Sequence, residues 1–205
     1  MRTTPRVLFF VCTSCVLTFL SCADHTATPT TSATDSVTSK DFAGFESQVK
    51  WGEHIVHVSG CHDCHTPKKM TDHGPGMDMD RMLSGHPAGS PQLPVDRKDM
   101  ESKGLAVTGD LTSWVGPWGV SYTANLTPDS TGILSWTEEQ FMYALKNGIY
   151  KGLPGSRQML PPMPWQEYKH MTDGEMKAVF AYLKSIKAVS NSVPPPLPPV
   201  LARKK

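Results

Sequence analysis

The sequence predicts an all-α domain of about three to five helices joined by long irregular loops. Two capping boxes, each followed by an apolar stripe at helical spacing, carry this reading, and strand-like alternation is nearly absent. The 16 glycines and 18 prolines among 205 residues make the connections long and turn-rich. Thr172 and Glu175 form one box, and Met176, Val179, Phe180, Leu183 and Ile186 follow as a single stripe. Thr137 and Gln140 form the other, ahead of Phe141, Ala144, Leu145 and Ile149, with Gly148 ending or loosening that helix. An earlier helix is expected over roughly residues 42–58, with Phe45, Val49, Ile55 and Val56 as candidate core residues.

The composition bounds the function. The 20 Lys and Arg residues nearly cancel the 19 Asp and Glu, so no basic surface for nucleic acid is expected. No apolar run reaches the roughly 18 residues that a membrane-spanning helix needs. Residues 1–21 read as an export signal, with Arg2 and Arg6 ahead of an apolar stretch. Phe19-Leu20-Ser21-Cys22 resembles a bacterial lipobox, which makes Cys22 a candidate for lipid attachment, against ordinary cleavage nearby. Residues 22–40 are nearly all Thr, Ser, Ala, Asp and Pro, a composition that suits a disordered tether. The domain itself is expected over 41–190. Residues 191–205 should form an extended, Pro-rich tail outside the core.

Residues 61–65 read Cys-His-Asp-Cys-His, the pattern of covalent c-type haem attachment. Thiols three positions apart on one helical turn, Cys61 and Cys64, can add to the two vinyl groups of one porphyrin. His65 then presents its imidazole to the iron from one face. The competing readings are a Cys61–Cys64 disulfide, which leaves His65 unexplained, a zinc site, which lacks completing ligands, and a thioredoxin-like motif, which lacks its strands.

More of the chain points the same way. Trp51-Gly52-Glu53-His54-Ile55-Val56, Gly60, the Cys-His-Asp-Cys-His run and Thr66-Pro67 resemble the first helix and haem loop of c-type cytochromes. Asn125-Leu126-Thr127-Pro128-Asp129 and Gly132-Ile133-Leu134-Ser135-Trp136-Thr137 are similar to a middle segment of cytochrome subunits of membrane-bound dehydrogenases. Pro161-Pro162-Met163-Pro164-Trp165, with the helix after Thr172, resembles their distal-ligand loop and final helix. The resemblance implies a cytochrome c fold around covalent haem c, with the first and last helices crossing and Gly52 close to Tyr182 and Leu183. Those subunits often carry several haems, whereas this chain has one motif and so one expected haem.

The sixth ligand is then sought among the methionines. Met163, between prolines that restrict its loop, is the first candidate and Met159 the second. Met171 is a weaker candidate, and Met176 lies on the apolar stripe. Met70, Met77, Met79 and Met82 form a Met-dense loop, read as gap-filling side chains against the haem edge or as a copper site. His54 and His57, three apart on the first helix, are expected as an exposed or core-edge pair, with a metal-binding pair as the alternative. His73, His86 and His170 are expected in solvated loops, and nothing specific is asked of His62. Residues 68–120 are expected to be irregular, with Trp114 and Trp118 packed near the haem as structural aromatics or, alternatively, forming a partner-docking surface.

With His65 and Met163 on the iron, the chain is an electron carrier rather than an enzyme, held in the bacterial cell envelope. The expected partners are a dehydrogenase as electron donor and an oxidase or peroxidase as acceptor. The alternatives are an open-site haem enzyme or gas sensor, or a copper-handling lipoprotein.

Overall fold

The computed structural model describes residues 42–201. The expected export signal, Cys22 and the tether over 22–40 lie outside them. The helices that frame the core are α1 (Gln48–Val58), α4 (Glu138–Asn147) and α6 (Asp173–Ser185); shorter ones are α2 (Cys61–His65), α3 (Arg97–Lys103) and α5 (Trp165–Tyr168).

Local chemistry sets the ends of these helices. The α6 capping box is complete: the Thr172 hydroxyl accepts from Glu175 N at 3.2 Å, and the Thr172 N–H donates to the Glu175 carboxylate at 2.7 Å. At α4 only half of the box forms. Thr137 accepts from Gln140 N, but the Gln140 amide donates forward to Lys151 O at 2.7 Å. Gly148 then closes α4 in the left-handed conformation, at φ 63°. Helix α1 begins six residues later than the apolar pattern suggests, because Ala43 and Gly44 take positive φ and Ser47 caps the helix.

Helices α1 and α6 cross closely. Ile55 and Val56 meet Met176, Ala178, Val179, Tyr182 and Leu183 in one buried cluster that also takes in Leu83, Ile133, Phe141 and Leu145. The contact needs a glycine: a Cβ on Gly52 would stand 1.9 Å from the Ala178 carbonyl oxygen. Of the other expected core residues, Phe45 is half-buried and Val49 is 36% exposed.

Helices form the core, but the region expected to be irregular contains two antiparallel hairpins. β1 (Lys68–Thr71) pairs with β2 (Gly74–Met77), and β3 (Ser113–Gly116) with β4 (Gly119–Tyr122). The all-α expectation is corrected there, for two physical reasons. β3 and β4 are covered on both faces, so they show no alternation. β1 and β2 are largely exposed, so they carry no apolar face at all.

The Pro-rich segment, expected as a tail outside the core, is docked along the domain as far as residue 201. Leu197 exchanges backbone hydrogen bonds with Val120 of β4 at 2.9 and 3.0 Å. The Glu101 carboxylate accepts from Val200 N and Leu201 N, and the Asn191 amide donates to Ser84 O and His86 O. The rest of the tail, 202–205, lies outside the described residues.

Candidate functional site

The site begins where α1 stops. Gly60, left-handed at φ 67°, turns the chain so that α2 starts at once, with Asp63 N donating to Gly60 O at 3.1 Å. This single turn carries Cys61, Cys64 and His65. Both thiols are free and half-buried. Burial pushes the Cys61 thiol up to about 11 and the Cys64 thiol up as well, so neither is a thiolate at neutral pH.

His65 is buried, and its Nδ1 lies 2.8 Å from the Ala124 carbonyl oxygen. A carbonyl only accepts, so Nδ1 carries the proton and Nε2 keeps its lone pair free for a metal. Burial also pushes the ring's pKa down, which favours the neutral form that ligates. The fixed tautomer and ring plane are what an axial ligand requires.

A dense backbone frame presents the Ala124 carbonyl. Gly85 N donates to His65 O at 2.8 Å, His86 N to Thr123 O at 3.0 Å and Leu126 N to Leu83 O at 2.9 Å. Gly85 has no room for a side chain, since a Cβ there would stand 2.5 Å from Thr123 O. Buried Asn125 locks the next turn: its Oδ1 accepts from Thr127 N and Thr127 Oγ1, and its Nδ2 donates to Val189 O. The segment 125–129 that resembles a cytochrome sequence is thus a structural knot behind the histidine.

The loop bearing Met163 comes from the other side of the chain. Met163 N donates to Leu160 O at 3.3 Å, closing a tight turn through Pro161 and Pro162. Met163 is half-buried and packs against the cluster that Cys61 also touches. With Met159, Pro161, Pro162, Pro164, Trp165 and Gln166 it lines an open cleft of about 260 Å³. Trp165 sits on Gly148, where a Cβ would come within 2.3 Å of the indole. Tyr168 Oη donates to Ser59 O at 2.8 Å, which ties the end of this loop to the turn before Cys61.

Met176 is fully buried, in keeping with a core role, and Met171 is half-buried against the same core. Met70, Met77 and Met79 are exposed, at 77%, 37% and 52%, and of the Met-dense loop only Met82 packs on the core. Three of its four methionine side chains therefore face outward.

The histidines bring one correction. His86, expected in solvent, is buried. The Thr112 hydroxyl donates to the Asp110 carboxylate at 2.8 Å, so His86 Nδ1 donates to Thr112 Oγ1 at 2.8 Å. His62, of which the haem motif asks nothing, is buried against Thr66 Oγ1 at 3.0 Å and stacks on His57 at 4.6 Å. His54 and His57 are exposed, as are His73 and His170. Among the described residues, no group of three or more His, Cys, Asp and Glu is placed to hold a metal ion. Trp114 and Trp118 are half-buried, and their indole N–H groups donate to Leu111 O and Ser121 Oγ.

The two free thiols on one turn, the oriented imidazole beside them and the methionine loop on the shared core fit a covalently held haem. No family model matches the chain. Its sequence is similar to a component of nicotinate dehydrogenase from Pseudomonas putida, at 34% identity over 79 residues, 38% of this chain and 6% of that protein. It is similar to the fructose dehydrogenase cytochrome subunit of Gluconobacter japonicus, at 40% over 68 residues, 33% of this chain and 13% of the relative. The cytochrome c subunit of alcohol dehydrogenase (quinone) from Gluconobacter oxydans matches at 28% over 138 residues, 67% of this chain and 21% of the relative. The chain therefore spans only a small part of the length of these relatives.

Proposed function

We propose that the chain is an electron-transfer protein with one covalently bound haem c, ligated by His65 and Met163, serving a dehydrogenase. The observation that carries this reading is the pair of free thiols on one helical turn beside a histidine whose Nδ1 is occupied by Ala124 O. The similarity to dehydrogenase cytochrome subunits supports it. Bound haem supplies a one-electron couple. The protein's own residues would do the rest: Cys61 and Cys64 would hold the group by thioether bonds, and His65 Nε2 and the Met163 thioether would ligate its iron. A closed site leaves no position for substrate, so the chain relays electrons from a dehydrogenase to an oxidase or peroxidase and catalyses nothing itself. The sequence over 1–22 supports a place in the bacterial cell envelope, with a lipid on Cys22.

One haem-stained denaturing gel of separated membrane and soluble fractions tests attachment and anchoring together. After expression with haem-attachment machinery, the chain should keep its stain in the membrane fraction, and Cys22→Ser should move the stained band to the soluble fraction. A colourless band overturns the haem reading. A wild-type chain that is stained but already soluble overturns only the anchor.

A further inference from the structure

We propose that Ser121 is a positioning residue for Met163, an inference that rests on reading Met163 as the distal ligand. Ser121 is buried on β4, and its hydroxyl has two partners. It accepts from Trp118 Nε1 at 3.1 Å and donates to the Pro161 carbonyl oxygen at 2.6 Å. The indole N–H can only donate, which commits the hydroxyl proton to Pro161. Pro161 has no N–H, so its carbonyl is its one backbone hydrogen-bonding group. That carbonyl lies inside the Leu160–Met163 turn that presents the thioether.

The anchor is itself fixed. The Trp118 ring rests on Gly116, where a Cβ would stand 2.6 Å from the ring. The neighbouring Val120 is held by the docked C-terminal segment, which passes so close that a Cβ on Gly119 would meet Leu197 O at 2.1 Å. Tyr168 ties the far end of the loop to Ser59 O. Met163 thus sits between a tether to the sheet and a tether to the turn before Cys61. A thioether is a weak iron ligand, so it depends on a loop already in place. Removing this part-buried hydrogen bond should open the loop about tenfold more often.

Imidazole competition on the haem-loaded full chain measures that opening. Ser121→Ala should bind imidazole to the oxidised protein about tenfold more tightly. It should also lose the sulfur-to-iron charge-transfer band at lower imidazole concentration. Trp118→Phe removes the N–H together with the outer indole edge that rests on Gly116, and should shift both readouts the same way by less. This second variant decides the matter if Ser121→Ala does not fold. A purely structural role would lower the melting temperature and leave imidazole affinity at the wild-type value, which overturns the proposal. Met163→Ala separates the two layers. If it abolishes the band while the Ser121 and Trp118 variants bind imidazole like wild type, only the positioning role fails. If it keeps the band, the ligand reading fails and the positioning role with it.

Discussion

Met163→Ala is expected to abolish the charge-transfer band at the red end of the oxidised spectrum and to let carbon monoxide bind the reduced haem. The alanine methyl cannot reach or ligate iron, and the turn that carries residue 163 is closed by backbone groups that the substitution keeps. Methionine raises the reduction potential relative to harder ligands, so the potential should fall. If the thioether favours the reduced form a hundredfold, the fall is about 120 mV, at 59 mV per factor of ten for one electron. Met159→Ala should leave all three properties nearly unchanged. Met159 is held by its backbone, with its N–H donating to Gly148 O at 2.7 Å, and it is the Met163 side chain that packs on the buried cluster Cys61 touches. Attachment should survive both changes, because it depends on Cys61 and Cys64. Loss of the band in Met159→Ala and not in Met163→Ala would move the ligand four residues along the same loop.

Gly52→Ala is expected to be the most destabilising single-methyl change in the α1–α6 crossing. The added Cβ would meet the Ala178 carbonyl at 1.9 Å and the Tyr182 Cβ at 3.0 Å, and a helix backbone cannot swing aside as a side chain can. Overpacking of this kind costs about 3 kcal/mol. Alanine's better helix propensity returns about 1 kcal/mol. The net loss of about 2 kcal/mol should lower the melting temperature by roughly 4–8 °C in a domain of this size. A thermal melt at wild-type temperature would show that α1 and α6 do not cross at this distance.

The features legible in the sequence are those whose causes are local. The boxes at Thr172 and Thr137 need residues three apart, and both give helices whose starts agree with expectation. Gly52 is legible because its close approach accompanies the resemblance to a first cytochrome helix. Features made by backbone groups far apart in sequence are not legible. The carbonyl of Ala124 orients a histidine 59 residues away, and any residue type has that carbonyl. The β4 edge accepts Leu197 through main-chain atoms alone, so the Pro-rich tail reads as free although it is docked. His86 reads as a loop histidine because Thr112, the partner that lets it be buried, lies 26 residues on. Ser121 carries no motif, and only its geometry singles it out.

The measurement that bears most directly on electron transfer is a spectroelectrochemical titration of the haem-loaded full chain, repeated under carbon monoxide. A closed His65 and Met163 site predicts one reversible one-electron transition, unchanged in shape and midpoint when carbon monoxide is present. A midpoint that rises with carbon monoxide, or the spectrum of a carbon monoxide adduct in the reduced wild-type protein, would mean an open iron and would contradict the account.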